Sequence, residues 1–531
     1  MKSMKKLVTL LLSLVMLCAL AMPAMAAETT YSITINGAVA GHTYTAYQVF
    51  KGAYYKGDRQ VAGKDAEYLS DVTWGDGVAS DALLSELKTN ETLGDKFEAA
   101  DSAEKVAYVL QTMKDKSADL DEFARIVGKH LTTTAAGKTN VVTAGAADAK
   151  IDHLAAGYYF VKDSGTINDG EIATKFLVEV VGNANVTVKA TAPTIDKKIV
   201  DNGDTNHTSA NIGDKVEFKL TAKVPDMANF DTYTFTISDT LSKGLTFDAQ
   251  SVVVNIGDVR LEATTNYKLT APTNPEQDNT FKIEFTKEQL GDNVKHNTGA
   301  TIVVTYNATL NSNALTTDKE TNTAKLEYSN NPSNSEDKGT VTTPDVPTYI
   351  YNFNIDVDKY DGTDGTTNTD KKLKDAEFVL YRNNSETKEY YKWDNTNNKV
   401  TWVSADNNPT KKTTDANGKA TFEGLKEGTY YLKEIKAPSG YNTLKDPVEV
   451  KIEAKYNANG TLDTTATDCK IKQDTEGKHY YQVQSVDNKA GAVLPSTGGI
   501  GTTIFYVLGS ILALGAAVLL IAKKRMNGQN R

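Results

Sequence analysis

The sequence predicts a mainly β protein: tandem immunoglobulin-like β-sandwich domains, the first carrying a helical insertion. Three observations lead there. Short segments that alternate apolar and polar residues recur along most of the 531 residues, separated by turns rich in Asn, Asp and Gly. Helical spacing of apolar residues is confined to one region, from Asp81 to Val127. The chain between Ala27 and Val493 is long enough for three domains of about 100–150 residues.

Both ends read as targeting segments. Lys2, Lys5 and Lys6 precede the apolar run Leu7–Ala21, and Ala24, Met25 and Ala26 supply a small-x-small cleavage pattern. Residues 1–26 are therefore expected to be a signal peptide, cut after Ala26. Residues 490–531 form the other terminal unit. Here Leu494, Pro495, Ser496, Thr497 and Gly498 are followed by the apolar run Ile500–Ala522 and then by Lys523, Lys524 and Arg525. The run matches the ~20 residues that cross a bilayer as a helix, and the cations after it would stay on the cytoplasmic side.

Composition narrows the function. The net charge is −10 and the pI about 5.3, which argues against nucleic-acid binding. Of the two cysteines, Cys18 leaves with the signal peptide and Cys469 stands alone. The expected mature chain thus has no internal disulfide, although its compartment is one where disulfides are the usual staple. The six histidines are scattered without metal-ligand spacing. No metal, cofactor or substrate-turnover chemistry is expected.

The first domain, residues 27–190, opens with the strand patterns Tyr31–Gly37 and Tyr44–Phe50. Helices over Asp81–Leu87, Ser102–Met113 and Leu120–Val127 follow, with Ser80 and Asp101 as N-caps. Gly157–Lys162 and Lys175–Val181 return to strand. Asp115–Asp119 has a calcium-loop flavour, but Leu120 stands where the loop needs glycine and Ile126 where it needs glutamate. The segment reads as a helix junction. The second domain is residues 191–346 and the third 347–489, with a Pro-, Ser- and Asn-rich stretch at Asn331–Pro347 taken as the linker.

Strand parity carries the chemistry. Side chains two apart share a face, so in Phe353, Ile355, Val357 and Lys359 the lysine joins the core face. Glu434 lies with Tyr430 and Leu432, and Asn488 with Val486. The second domain repeats the pattern: Lys197 with Ile195 and Ile199, Asp239 with Phe235 and Ile237, Asn322 with Ala324 and Leu326. Burying charge is costly unless it is paired or changes state. Desolvation lowers a lysine's pKa and raises an acid's. A neutral amine is a nucleophile, and an amide beside a protonated acid is its target. The product would be a Lys–Asn amide tying a domain's first strand to its last, with loss of ammonia.

Tyr430–Tyr441 reads YYLKEIKAPSGY, which resembles the acidic motif of collagen-adhesin B-type (Cna-B) domains. Asp356–Lys359, Leu373–Leu380 and Val486–Asn488 fit the same domain. Pro193–Lys197 and Thr321–Ala324 resemble the middle domain of sortase-assembled Gram-positive backbone pilins, and LPSTG with its span and basic tail resembles their sorting signal. The resemblance implies isopeptide bonds Lys197–Asn322 and Lys359–Asn488, promoted by Asp239 and Glu434. Glu217 is a second candidate acid in the middle domain. It also implies that a pilus sortase attacks Thr497–Gly498 and joins Thr497 to a lysine of the next copy. The family's YPKN acceptor string is absent; Lys189, at the seam before the second domain, is the nearest counterpart.

The implied function is the major subunit of a covalent surface pilus serving host attachment. Its implied partners are its own copies, tip and base pilins, and peptidoglycan reached through a housekeeping sortase. A host receptor or glycan is a further possible partner. The alternative is a monomeric wall-anchored adhesin or minor pilin.

Overall fold

The computed structural model describes residues 30–527 except 62–63, 115–116, 144, 164–171, 189–191, 202, 228–229, 231, 295–297, 332–338, 364–367, 493 and 495–499. Three β-sandwiches follow one another, and the helix Ile500–Asn527 closes the described chain. Within that helix, Gly501–Met526 is a 26-residue stretch long and apolar enough to be a candidate membrane span. At 1.5 Å per residue this is about 39 Å, enough to span a hydrocarbon core.

In the first domain Tyr31–Asn36 lies between Asp148–Leu154 and Ala184–Thr187. The facing sheet runs Lys64–Trp74, Tyr44–Val61, Gly157–Asp163, Lys175–Val180. The strand Gly157–Asp163 is apolar at nearly every position because both of its faces are covered. Tyr159 and Val161 meet Ile33 and Ile35 inside the sandwich, while Tyr158 and Phe160 meet the helical insertion.

The helices of the insertion are Ser80–Thr89, Gly94–Phe97, Ala103–Leu110 and Ala118–Lys129. Their caps differ from expectation. Ser80 is the first helical residue after the N-cap Ala79. Ser102, not Asp101, caps the third helix by accepting from Lys105 N–H. Asp101 instead pairs with the Lys105 ammonium at 2.6 Å, since one residue further out its carboxylate reaches along the helix face. Ser117 caps the fourth helix, inside the expected junction; Asp115 of that stretch lies outside the described residues.

The middle domain packs two sheets whose central strands alternate strictly. Lys215–Lys223 buries Val216, Phe218, Leu220 and Ala222 and turns Lys215 and Glu217 to water. It pairs with Ile195–Val200 and Thr301–Leu310. In the opposite sheet Phe235–Leu241 pairs with Glu320–Ser329. The residues expected to be a linker include a hairpin arm, Thr340–Thr342, paired back onto Glu327–Ser329. Val346–Tyr351 then pairs with Glu320–Ala324 and with His207–Ser209. The middle sheet therefore continues beyond residue 346, and the joint to the third domain falls at Asn352.

In the third domain the first strand, Phe353–Asp361, and the last, Tyr480–Asn488, are parallel neighbours. The second sheet is built around Glu377–Asn384 and Gly428–Lys436.

The middle and third domains share one continuous apolar core, and their backbones interlock. Ile212 N–H donates to Gly424 O at 3.0 Å and Val400 N–H to Ile212 O at 2.8 Å. Leu462 N–H donates to the Tyr351 hydroxyl at 3.0 Å, and the His207 and Tyr456 rings lie 4.0 Å apart. At the contact with the first domain Ala173 N–H donates to Asn330 O at 2.9 Å, and Ile172 packs against the shared core. There burial and the middle domain's Asp226 raise the pKa of Asp121.

Gly424 sits at this joint with φ +71°, and a Cβ there would lie 2.5 Å from Ile212 Cγ1. Gly424→Ala should destabilise the two-domain unit by about 2 kcal/mol. Calorimetry reads this as a lower Tm; an unchanged Tm would mean that the joint tolerates separation.

Candidate functional site: two buried lysine–acid–asparagine clusters

Lys197 follows from the alternation of its strand: Ile195 and Ile199 point into the core, so the residue between them does too. Its ammonium nitrogen is enclosed, and the whole residue is 1 % exposed. It lies 2.5 Å from both carboxylate oxygens of Asp239 and donates to the Tyr306 hydroxyl at 3.0 Å. Tyr306 donates to Asp239 Oδ2 at 2.6 Å. Asn322 Nδ2 donates to the same Tyr306 hydroxyl at 2.7 Å, while Asn322 Oδ1 is buried without a partner.

Aromatic rings wall the cluster. Phe218 stacks on Tyr306 at 5.2 Å, Phe281 meets its edge at 4.8 Å, and Lys197 Nζ is 5.2 Å from the Phe218 centroid. Desolvation lowers the Lys197 pKa to about 8 against the opposing pull of Asp239. Burial and the Asp239 carboxylate push Tyr306 well above its ordinary value. At pH 7 a lysine with pKa about 8 is ~10 % neutral, against less than ~0.1 % for a solvated one. The amine is thus a usable nucleophile.

The third-domain cluster has the same members in another layout. Lys359, fully buried, donates to Val486 O at 3.1 Å. Its pKa is lowered to about 8 by desolvation, opposed first by Glu434 and then by Asp487 and Asp361. The register sets Lys359 opposite Val486 and Asp361 opposite Asn488. Lys359 and Asn488 are therefore diagonal neighbours on one face of a sheet. Glu434 reaches them from the opposite sheet: its Oε2 accepts from Asn488 Nδ2 at 2.9 Å. Glu434 Oε1 and Asn488 Oδ1 are both buried and unpartnered.

Three groups in these clusters carry no parity signal. Tyr306 looks in sequence like an ordinary core aromatic. Leu444 N–H, which donates to Glu434 Oε2 at 2.7 Å, is a main-chain group. So is Asn442 O, which accepts from Asn488 Nδ2 at 2.7 Å. The motif's Pro438–Tyr441 end leads into this strap, and a main-chain donor cannot be read from side-chain identity.

Glu217, the other candidate acid, is exposed opposite Asn307 on the outer face; Asp239 is the acid in contact with Lys197. The first domain buries polar groups of another kind. His42 Nδ1 lies 2.7 Å from Asp163 Oδ2. Burial pushes Glu179 up to about 8, and neither of its carboxylate oxygens has a hydrogen-bond partner among the described residues. Among the described residues no group of three or more His, Cys, Asp or Glu could hold a metal ion.

Lys189, Pro495, Ser496, Thr497 and Gly498 lie outside the described residues. Leu494 is exposed. The chain before it is strapped to the domain: Ala490 N–H donates to Thr363 Oγ1 at 2.9 Å and Gly491 N–H to Gly440 O at 2.9 Å. From Gly491, Thr497 can reach at most about 20 Å.

Sandwiches in tandem, ending in a sorting pentapeptide and a hydrophobic helix, define a surface protein anchored covalently in the cell wall. Three family models match: "Gram-positive pilin backbone subunit 2, Cna-B-like domain" at residues 212–332, a SpaA prealbumin-like fold domain at 353–470, and the LPXTG cell wall anchor motif at 486–528. The trypsin-resistant surface T6 protein of Streptococcus pyogenes serotype M6 is 25 % identical over 415 residues, 64 % of this chain and 70 % of that protein. Fimbrial subunit type 1 of Actinomyces viscosus is 25 % identical over 390 residues, 65 % of this chain and 66 % of its own. The solved T6 backbone pilin of serotype M6 S. pyogenes shares the fold: TM-score 0.51 at 19 % identity, over 89 % of this chain and 96 % of that one. Residues 212–332 match the backbone-subunit family of Gram-positive pili, and the chain is similar to the T6 protein and to fimbrial subunit type 1 over about two thirds of its length.

The buried contacts predict a contrast between the two candidate acids. In an Asn322→Ala background, where no amide is available at that position, Asp239→Ala should cost about 3–5 kcal/mol by stranding a buried amine. Glu217→Ala should stay within about 0.5 kcal/mol. Urea unfolding of both variants measures the difference.

Proposed function

We propose that this chain is the shaft subunit of a covalent pilus. Sortase joins Thr497 of one copy to Lys189 of the next, and each copy is stapled by Lys197–Asn322 and Lys359–Asn488 amides. The observation that carries the reading is the pair of enclosed lysine–acid–asparagine clusters, each on a domain's first and late strands. In each, the neutral lysine attacks the asparagine Cγ, the new Nζ–C bond forms, the C–Nδ2 bond breaks and ammonia leaves. In the third domain Glu434 Oε2 is in contact with the departing Nδ2 and is placed to hand it the proton. Each amide closes a loop of more than a hundred residues, a constraint worth about 5 kcal/mol by analogy with a disulfide, and it resists reduction.

Polymerisation would use the leash beyond Gly491, with the pilus sortase as the acyl-transfer catalyst and this chain as its substrate. A housekeeping sortase would transfer the finished polymer to peptidoglycan, tip and base pilins would complete it, and the assembled shaft would serve host attachment.

Intact mass of the secreted chain spanning residues 27–489 tests the staples. The expected mass is the calculated one less two ammonias; the full calculated mass would sink the crosslink reading. Assembly has its own test, an immunoblot of denatured wall extract beside Lys189→Ala. A high-mass ladder that collapses to monomer in the variant is expected. A ladder that persists rejects Lys189, and a monomer band from wild type with its sortase present favours a monomeric adhesin.

A further inference from the structure

The two clusters differ in how the acid reaches the amide. Glu434 touches Asn488 Nδ2 directly, at 2.9 Å. Asp239 is one methylene shorter and makes no hydrogen bond to Asn322. The Tyr306 hydroxyl fills the gap, 2.6 Å from Asp239 Oδ2 and 2.7 Å from Asn322 Nδ2. Lys197 Nζ is 2.5 Å from both Oδ1 and Oδ2 and 3.0 Å from the Tyr306 hydroxyl. An unbroken file thus runs Nζ, Oδ1, Oδ2, Oη, Nδ2, closed from water by Phe218, Phe247 and Phe281.

We propose that Tyr306 is a catalytic residue of the middle-domain crosslink, relaying the proton from Asp239 to the leaving nitrogen of Asn322. The inference rests on the crosslinking reading given above. The chemistry requires one net proton transfer: the neutral Lys197 amine loses one hydrogen and ammonia gains one. One ammonium proton of Lys197 first passes to Asp239 Oδ2, leaving the amine neutral, and the Tyr306 hydroxyl turns from Oδ2 toward Nδ2. As the Nζ–Cγ bond forms, Nζ gives a second proton to Oδ1, Oδ2 passes its own to Tyr306 Oη, and the hydroxyl proton moves to Nδ2, which has become pyramidal and basic. The Cγ–Nδ2 bond breaks and ammonia departs. Tyr306 ends as it began, and Asp239 holds one proton, as it did once the amine was neutral.

An acidic proton donor is needed at Nδ2 because an amide anion does not leave. Among the described residues no other hydroxyl, acid or amine is hydrogen-bonded to that nitrogen; its partner there is Tyr306. The side-chain oxygen Oδ1 of Asn322 has no partner among the described residues, so the acid's contribution here runs through the nitrogen side of the amide.

The test uses the full chain expressed in its own cells, pulse-labelled, quenched in denaturant and digested at successive times. The branched peptides carrying Lys197–Asn322 and Lys359–Asn488 are then quantified separately. Tyr306→Phe should slow the first about 10²-fold and leave the second at its wild-type rate, which serves as the folding control. A Tyr306→Phe time course equal to wild type at both sites overturns the relay. Should Tyr306→Phe also lose the third-domain crosslink, 3-fluorotyrosine at position 306 replaces it, since that changes acidity with little change in shape. A several-fold change in the Lys197–Asn322 rate alone is expected, and an unchanged rate overturns the relay. Absence of the Lys197–Asn322 peptide from wild type would instead overturn the crosslink reading on which the relay rests.

Discussion

The withdrawal of a lysine amine from water is the constraint on which the rest of the structure depends. A solvated lysine is a cation and does not attack an amide. Lys197 and Lys359 are depressed to about 8 because strands seat them among aromatic and aliphatic side chains. The same burial demands a nearby acid, since a cation left alone there would destabilise the domain by several kcal/mol. Strand parity, the aromatic wall and the position of the acid are three aspects of one requirement.

The two clusters meet that requirement on different scaffolds. Lys359 and Asn488 sit on adjacent parallel strands of a single sheet, and the acid comes from across the sandwich. Lys197 and Asn322 come from opposite sheets, and Asp239 sits on the strand beside Asn322, its neighbour Leu241 pairing with that residue. A longer acid suits the first layout. The second combines a shorter acid with a tyrosine, and so keeps the same separation filled with exchangeable protons.

Much of this was legible in the chain itself. A single lysine between two isoleucines, or an aspartate in step with Phe235 and Ile237, names its own face because a strand offers only two. What parity cannot give is distance across a sandwich. Tyr306 alternates with Val304 and Ala308 like any core aromatic, and only the folded geometry brings its hydroxyl between Asp239 and Asn322. The strap at Asn442 and Leu444 acts through backbone atoms that every residue type carries. The seam at residue 346 was misplaced for a related reason. A polar, proline-containing stretch has the composition of a linker whether it joins two domains or turns a hairpin inside one. Helix caps slipped by one residue, as Asp101 and Ser102 show, because either side chain satisfies the local pattern.

The joint at Asn352 bears on how a shaft of such subunits would carry tension. With both amides closed, force entering the third domain at Phe353 passes from Lys359 to Asn488 and out to Gly491. Everything folded between those two residues is bypassed and stays slack. In the middle domain the shortcut runs from Lys197 to Asn322 and ends there. Between the two shortcuts the chain from Asn322 to Lys359 remains in the line of pull, its strands Val346–Tyr351 and Phe353–Asp361 paired to Glu320–Ala324 and Tyr480–Asn488. That segment, with at most about 130 Å of contour, could lengthen under load without breaking either amide. A shaft so stapled would lengthen between its crosslinked loops rather than within them.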